Sequence, residues 1–492
     1  MIIWERILNF EPKKVFTYFE DLTRIPRGSG NEKEVSDYLA EFAKSNNLEY
    51  IQDEYMNVII KKPATPGYES LPAVILQGHM DMVNEKNNDK VHDFDKDPLT
   101  LKIVGDDIYA DETTLGADNG IAVAMAMSIL ASSDVAHPAL EAVFTVEEET
   151  GLVGALKLDG SKLDGKYLIN IDSEEEGELL VSCAGGSRIK LILPVSYTDV
   201  DSNRVDLKVS VKGLYGGHSG MDIIKGRGNA NKLIGRILDS MITEGINFEL
   251  FNVNGGSKMN AIPREADAVI AVNSSDKAKV EALISKWNDI LKNELRGKDD
   301  NVQVVVSEIK QDSTKVFDEN SKLTAIATLM MIPNGIMSMS HAIENLVESS
   351  VNLGVLTTTD SSVSFECAPR SSVGSLKEAI RNQYKALAYL VGAELVTDSD
   401  YPEWQYNPDS KLRTHFEKVY KDMYNKDSKV VAIHAGVECG LFKEKLPELD
   451  MISIGPNMAD VHTPNEHVSI SSIQRTYSYL LEVLKRFNEI ER

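Results

Sequence analysis

Histidine and carboxylate side chains recur in this sequence at points where apolar segments end. Five such segments are QGHMD (77–81), GADNG (116–120), EEE (147–149), Asp172 and His462. Four of them follow apolar runs that we predict to be strands, at residues 73–76, 142–146, 167–171 and 451–454. In open α/β sheets the carboxyl ends of parallel strands converge on one crevice, where ligands bind. We therefore expect two His, two Asp and at least one Glu to meet there.

Imidazole and carboxylate groups together form a ligand set for divalent metals. They suit Zn²⁺, and a carboxylate can bridge two ions. Two metals roughly 3.5–4 Å apart can hold a hydroxide between them and polarise a carbonyl group. No Cys-x-x-Cys pair is present, so we expect a catalytic rather than a structural site. Taken singly, each segment is unspecific, because a lone His is commonly solvated and Asp-Asn-Gly is a common turn.

A parallel α/β sheet is predicted to position these side chains. In the first part of the chain the strand-like runs alternate with helix-like segments, a pattern typical of such a sheet. The predicted helices there cover residues 12–22, 31–46 and 120–131. The last hundred residues resume this pattern, with predicted helices near 409–424 and 470–488 and strands at 430–433 and 451–454.

The middle of the chain has a different pattern, in which alternating strands and helices indicate an α+β organisation. Two stretches, 205–243 and 351–391, share a strand, a Gly/Ser-rich loop and a helix in that order. An internal duplication and a single mixed domain both remain open. Because the first pattern returns afterwards, we predict a catalytic domain from 1–186 and 396–492, with 187–395 inserted.

The overall composition argues against two kinds of binding partner. The chain has 492 residues and a net charge of −24, and 42% of its residues are hydrophobic. Nucleic acids and anionic membranes need patches rich in Lys and Arg, so we expect neither as a partner.

The sequence also carries signals of cellular location. Three cysteines (Cys183, Cys367 and Cys439) are too few for a disulfide framework. Glu5 and Arg6 interrupt the only early apolar stretch, so we expect no signal peptide. No apolar run approaches the roughly 18 residues of a membrane span. We therefore predict a cytoplasmic protein.

Read together, these segments resemble the motifs of a known family. HMDMV, GADNG, TVEEETG, INIDSEE and HTPNE occur in the order found in the co-catalytic metallopeptidases, which include carboxypeptidase G, aminoacylase and the cytosolic dipeptidases. LYGGHSG, FECAPRSS and HAGVECGLF extend the resemblance to the aminoacyl-histidine (Xaa-His) and non-specific dipeptidases, over essentially the whole chain. The resemblance implies an α/β catalytic domain, with a mixed, mostly parallel sheet flanked by helices and an inserted α+β lid domain.

The resemblance also implies the site residues. His79 and Asp172 would bind one metal, Glu149 and His462 the other, and Asp118 both. The two ions are expected to be Zn²⁺, with Co²⁺ and Mn²⁺ also compatible. Asp81 would orient the imidazole of His79. In the lid, His218 would reach the substrate carbonyl, Arg370 would bind its terminal carboxylate, and Asn260 is a weaker candidate for the same neighbourhood.

Glu148 is expected to be the general base, although the triplet 147–149 leaves its register ambiguous. The family pattern of two acids, any residue and Gly matches Glu148-Glu149-Thr150-Gly151. The implied reaction is hydrolysis of a dipeptide, of Xaa-His type or of broad specificity, by a metal-bridging hydroxide.

Two other functions remain as alternatives. Relatives with the same metals deacylate N-acyl amino acids, but they tend to carry Glu where this chain has Asp172, which favours the dipeptidase. A non-catalytic binding protein is disfavoured because every expected ligand, Asp81 and Glu148 are present. Both a monomer and a homodimer are compatible with the sequence.

Overall fold

The computed structural model describes residues 7–201 and 203–490. These residues form two compact units. The first unit contains residues 7–182, 406–432 and 437–490, and the second contains 183–405 (with 202 excepted) and 433–436. Residues 1–6, where we expected no signal peptide, lie outside the described ranges. The outer ends of the predicted catalytic segments, at 1–6 and 491–492, lie outside them too.

Strands and helices alternate in the first part of the chain. Its helices are α1 (Lys13–Thr23), α2 (Lys33–Ser45), α3 (Ala117–Leu130) and α4 (Val153–Lys157). Its strands are β1 (Glu49–Gln52), β2 (Val58–Lys62), β3 (Val74–His79), β4 (Leu101–Val104), β5 (Asp107–Ala110), β6 (Leu140–Thr145), β7 (Tyr167–Asn170) and β8 (Glu178–Cys183).

Strands dominate the middle part. They are β9 (Gly185–Pro194), β10 (Tyr197–Asp199), β11 (Val205–Lys212), β12 (Gly217–His218), β13 (Phe248–Gly255), β14 (Ala261–Ile262), β15 (Ala266–Val272), β16 (Gln303–Ile309), β17 (Lys315–Phe317), β18 (Gly335–Met339), β19 (Val347–Thr358), β20 (Ser362–Ser371) and β21 (Glu394–Tyr401). The helices are α5 (Ala230–Thr243), α6 (Lys277–Glu294), α7 (Glu319–Met331) and α8 (Gly374–Val391).

The last part returns to alternating elements. Its helices are α9 (Lys411–Tyr424), α10 (Glu438–Lys445) and α11 (Ile470–Lys485). Its strands are β22 (Lys429–Ile433), β23 (Asp450–Ser453), β24 (Met458–Ala459) and β25 (His467–Ser469).

The first unit is built on an eight-stranded sheet in the order β1-β2-β6-β3-β7-β23-β8-β22. The central pairs β6–β3, β3–β7 and β7–β23 are parallel, whereas β1–β2 and β2–β6 are antiparallel. Every residue of β3, β6 and β7 is buried, as expected of parallel strands covered on both faces. The almost wholly apolar α3 packs against β3. The predicted α/β class with a mostly parallel sheet is confirmed.

The second unit is built on an antiparallel sheet in the order β16-β11-β15-β13-β19-β20-β9-β21, with β18 paired to β19. Its largest apolar core combines residues from this sheet with residues from helices α5 to α8. The two stretches with the same strand-loop-helix order, 205–243 and 351–391, both contribute strands to this one sheet.

None of the helices in 7–201 and 203–490 combines the length and the apolar content that crossing a bilayer requires.

Candidate metal and catalytic centre

Asp118 lies between two imidazoles in the first unit. Its Oδ1 is 3.0 Å from Nε2 of His79, and its Oδ2 is 3.1 Å from Nε2 of His462. Asp172 Oδ1 is 3.4 Å from His79 Nε2, and Glu149 Oε1 is 2.9 Å from His462 Nε2. The five candidate ligands therefore form two groups that share Asp118. Within each group the ligand atoms lie within 4.8 Å of one another.

Strand ends bring these side chains together. His79 is the last residue of β3, Asp172 follows β7 by two residues, and the parallel pairing of β3 with β7 aligns their carboxyl ends. Asn119, at the start of α3, fixes the third segment. Its Oδ1 accepts a hydrogen bond from the backbone N–H of His79 (3.3 Å), and its Nδ2 donates to the carbonyl of Ile171 (2.8 Å). One buried amide thus connects β3, α3 and the end of β7.

Asp81 orients His79 from the opposite side of the ring. Its Oδ1 lies 3.3 Å from Nδ1 of His79, which leaves Nε2 for the neighbouring carboxylates. Asp81 also accepts hydrogen bonds from Ser29 Oγ (2.8 Å) and from the backbone N–H groups of Glu148 (3.1 Å) and Glu149 (3.3 Å). A single buried carboxylate therefore positions both His79 and the acidic pair.

Two further buried residues hold the start of α3, which carries Asp118, and neither was predicted from the sequence. Glu466 accepts hydrogen bonds from the backbone N–H groups of Leu115 (2.8 Å), Gly116 (3.0 Å) and Asp118 (3.2 Å). Arg27 donates to the carbonyls of Gly116, Met80 (2.9 Å) and Asp81 (3.1 Å). Glu466 lies within the quoted HTPNE motif, but nothing in the sequence indicated that its carboxylate binds backbone.

The electrostatics of this cluster favour added positive charge. Hydrogen bonds to Asp118 and Glu149 raise the pKa of His462 to about 10. Burial lowers the pKa of His79, but Asp172 and Asp118 outweigh it and raise that pKa well above its ordinary value. Burial raises the pKa of Asp172 to about 6, against the opposing effect of His79. The buried carboxylates thus favour positive charge nearby, which the protonated imidazoles of His79 and His462 supply.

The donor set fits a pair of divalent cations. Two imidazole nitrogens and three carboxylates are ligands that Zn²⁺, Co²⁺ or Mn²⁺ accepts. His79 Nε2 and His462 Nε2 both face carboxylate oxygens that a cation could share with them. The Nδ1 of His79 is held by Asp81, as is usual for a ligating histidine.

Glu148 lies beside the first group, with a carboxylate oxygen within 4.8 Å of ligand atoms of His79 and Glu149. Burial raises the pKa of its carboxyl well above the ordinary value, against the opposing charge of His79. Below the strand ends, Glu438 accepts hydrogen bonds from Gln77 Nε2 and Thr145 Oγ1 (2.9 Å). Glu438 belongs to the HAGVECG segment, whose contacts the sequence did not predict.

His218, in the second unit, has a defined tautomer. Its Nδ1 accepts hydrogen bonds from the backbone N–H groups of Met221 (3.1 Å) and Gly220 (3.3 Å). Burial and the charge of Arg370 lower the pKa of this imidazole. The neutral ring therefore carries its proton on Nε2, which makes that nitrogen a donor.

The other two candidates of the second unit differ in burial. Arg370 lies on β20 with 8% of its surface exposed, and its Nη1 donates to Oη of Tyr401 (2.9 Å). Asn260 is exposed, and its backbone carbonyl accepts a hydrogen bond from the N–H of Ser219, next to His218. The charge of Arg370 acts on His218, so these candidates occupy one region of the second unit.

Comparisons with known proteins agree with these findings. The cytosol non-specific dipeptidase of Escherichia coli (strain K12) is 40% identical over 477 residues, covering 97% of this chain and 98% of that protein. The crystal structure of aminoacylhistidine dipeptidase from Vibrio alginolyticus superposes with a TM-score of 0.94 at 37% identity, covering 98% of each chain. Aminopeptidase PepT from Bacillus cereus, at 14% identity and a TM-score of 0.55, shares the fold, and the alignment covers 98% of this chain and 99% of that one.

A family model extends over most of the sequence. The model of peptidase family M20/M25/M40 matches residues 75–486, a range that contains every candidate ligand and Glu148. The chain belongs to peptidase family M20/M25/M40.

Proposed function

We propose that this chain hydrolyses the peptide bond of dipeptides with the help of two divalent cations. The observation that carries the proposal is the carboxylate of Asp118 held between the Nε2 atoms of His79 and His462. The similarity to dipeptidases at 37–40% identity over nearly the whole chain supports the substrate class. Asp172 supports it as well, since Glu at that position would favour a deacylase.

The cation ligands follow from the two groups in the first unit. His79 and Asp172 would bind one ion, Glu149 and His462 the other, and Asp118 both. Two such cations polarise a carbonyl group and lower the pKa of water. Zn²⁺ is our first expectation, and Co²⁺ and Mn²⁺ suit the same ligands.

Glu148 would act as general base and then as general acid. A base must lie next to the proton that it accepts and must have a pKa near the working pH. Glu148 lies beside His79 and Glu149, and burial raises the pKa of its carboxyl well above the ordinary value. Its carboxylate would take a proton from the attacking water and deliver it to the leaving amine. The backbone hydrogen bond from Glu148 to Asp81 would keep it in place.

His218 would donate a hydrogen bond to the oxygen of the scissile carbonyl. The hydrogen bonds from Met221 and Gly220 to Nδ1 leave the proton on Nε2, as such a donor requires. A donor that is fixed before the reaction stabilises the developing negative charge without reorganising.

Arg370 would bind the terminal carboxylate of the substrate, and Asn260 would add a weaker contact nearby. A guanidinium group binds a carboxylate through two parallel hydrogen bonds. A guanidinium group held one residue beyond the scissile bond would select dipeptides over longer peptides, because only a dipeptide has a free carboxylate there.

We also propose a domain arrangement and a location. The first unit corresponds to a catalytic domain in two segments, and the second to an inserted lid, near the boundaries 1–186, 187–395 and 396–492. A cytosolic location is supported by the name of the Escherichia coli relative. Monomer and homodimer remain alternative assemblies.

A substrate panel tests this function. The protein would be assayed with several dipeptides (Xaa-His and others), a tripeptide and an N-acetyl amino acid, each with and without a chelator. We expect dipeptide hydrolysis that the chelator abolishes and added metal restores. Preferential cleavage of the N-acetyl amino acid would instead support a deacylase.

A further inference from the structure

The candidate carboxylate-binding residue is held by a tyrosine that the sequence did not single out. We infer that Tyr401 is a positioning residue, which fixes the guanidinium group of Arg370 so that its Nε–Nη2 edge faces the substrate carboxylate. The inference rests on the carboxylate-binding role proposed for Arg370. All the residues involved belong to the second unit.

Strand register places the two side chains in one row. Arg370 on β20 pairs with Gly186 on β9, and Gly186 pairs in turn with Tyr401 on β21. Residues paired across neighbouring strands direct their side chains to the same face of a sheet. Because the central residue of this row is glycine, the outer two can meet above it. Their contact is the 2.9 Å hydrogen bond between Nη1 of Arg370 and Oη of Tyr401.

The tyrosine ring fits against two residues that lack side chains. A Cβ atom at Gly186 would lie 2.4 Å from Oη of Tyr401, and one at Gly436 would lie 2.7 Å from its Cε2. Real Cβ atoms do not approach other atoms so closely. Glycine at both positions therefore makes room for the ring, and their contacts restrict where its hydroxyl group can lie.

The segment that contributes Gly436 is itself anchored. The carbonyls of Ile433 and Ala435 accept hydrogen bonds from the backbone N–H of Ala184, which precedes β9. His434 Nε2 lies 2.7 Å from Oγ of Ser350, and Ser350 pairs with Arg370 across β19 and β20. This gives the HAGVECG segment a role, since part of it closes the space around Tyr401.

The hydrogen bonds of Arg370 show which edge is left for a ligand. Nη1 is used by Tyr401, whereas the buried Nε has no hydrogen-bond partner within the described ranges. A buried donor without a partner is unfavourable, and a carboxylate oxygen would satisfy it. A carboxylate can bind a guanidinium group in a bidentate way through Nε and Nη2. Tyr401 thus occupies the opposite end of the group and leaves this edge for the substrate.

A double-mutant cycle on a dipeptide substrate tests the inference. Tyr401→Phe removes only the hydroxyl group, and we expect kcat/KM to fall about tenfold, as for loss of a hydrogen bond to a charged group. In an Arg370→Ala background the same change should lower kcat/KM less than twofold, because no guanidinium group remains to be positioned. Equal losses in both backgrounds would show that Tyr401 serves only the packing of the fold, and would overturn the inference.

Two further variants keep the test decisive. Tyr384→Phe removes another buried tyrosine hydroxyl group, which donates to the carbonyl of Pro333 (2.9 Å), and it should leave kcat/KM within about twofold. In Gly186→Ala the added methyl group displaces Oη of Tyr401, so this variant should show the same fall in kcat/KM as Tyr401→Phe. It therefore tests the inference even if circular dichroism shows that Tyr401→Phe is unfolded. Wild-type kcat/KM in Gly186→Ala would overturn the inference.

The single variant Arg370→Ala separates this inference from the function on which it rests. If Arg370→Ala lowers kcat/KM while Tyr401→Phe does not, the carboxylate-binding role of Arg370 is supported and the positioning role of Tyr401 is wrong. If Arg370→Ala leaves kcat/KM unchanged, the carboxylate-binding role of Arg370 is wrong, and the inference about Tyr401 is overturned with it.

Discussion

The two groups of candidate residues are fixed in different ways. In the first unit the side chains contact one another directly, so that Asp118 joins His79 to His462 and Asp81 joins His79 to the backbone of Glu148. In the second unit His218 and Arg370 are each held by a neighbour that is not itself a candidate. Met221 fixes the ring of His218, and Tyr401 holds Arg370.

This difference follows from the two sheets. Parallel strands end at one edge, so side chains from β3, β6 and β7 converge without long loops. Antiparallel strands place neighbouring ends at opposite edges, so a residue within such a sheet is supported by its neighbours across the paired strands. We therefore expect substitutions of the five candidate metal ligands in the first unit to affect metal binding and chemistry together. In the second unit, the effect of substituting Arg370 should depend on whether the substrate has a free terminal carboxylate.

The largest effect is expected from Glu148→Gln. The amide keeps the shape but cannot accept a proton, so kcat should fall on the order of 10²–10⁴-fold while both metals still bind. The neighbouring variant Glu147→Gln is the matched control and should stay within about twofold of wild type. Steady-state kinetics and metal analysis check both. Near-normal kcat in Glu148→Gln would place the general base elsewhere in the triplet.

His218→Ala should have the next largest effect. Removal of one donor to the developing oxyanion typically lowers kcat by about 10²–10³-fold. The metal content should not change, since His218 lies outside the ligand groups. The exposed His341, also in the second unit, gives the control variant His341→Ala. A fall in metal content, or an effect on KM alone, would contradict the assigned role.

Substitutions of Arg370 should show the substrate dependence of the second unit. Arg370→Lys keeps the charge without the planar fork, and we expect about a tenfold fall in kcat/KM; Arg370→Ala loses both, and we expect about a hundredfold fall. A dipeptide amide, which lacks the carboxylate, should be a poor substrate that is almost insensitive to either change. Equal losses for the amide and the free dipeptide would mean that Arg370 stabilises the fold.

Asp81→Asn should have the smallest effect on kcat when the metal is saturating, because its main effect is on metal affinity. Loss of a carboxylate that orients a ligating histidine typically weakens metal affinity 10–100-fold. Ser29→Ala removes one hydrogen bond to the same carboxylate and should shift the affinity in the same direction by less. Activity measured against metal concentration gives both values. An unchanged metal affinity in Asp81→Asn would show that His79 is oriented without it.

The sequence predicted the first unit better than the second. Continuous apolar runs ending in polar clusters marked β3, β6 and β7, and the parallel alignment of β3 with β7 brings His79 and Asp172 together. The contacts of Glu466 and Arg27 could not be predicted, because they bind backbone carbonyls and N–H groups, which leave no pattern in a sequence.

In the second unit the individual elements were easier to predict than their pairing. The order of strand, loop and helix in 205–243 and 351–391 predicts β11, α5 and α8. The row of Arg370, Gly186 and Tyr401 depends on the register of three strands that are distant in sequence. Register is set by the packing of the whole sheet, so a single sequence gives no access to it.

The central claim is that the five side chains around Asp118 bind two divalent cations on which dipeptide hydrolysis depends. The most direct measurement is a titration of metal-stripped protein with Zn²⁺, Co²⁺ or Mn²⁺, in which bound metal and dipeptide hydrolysis are followed together. We predict two ions per chain for the wild type, with activity that requires them, and fewer than two ions and no measurable activity for Asp118→Ala. Full hydrolysis by the stripped protein, or two ions retained by Asp118→Ala, would contradict the claim.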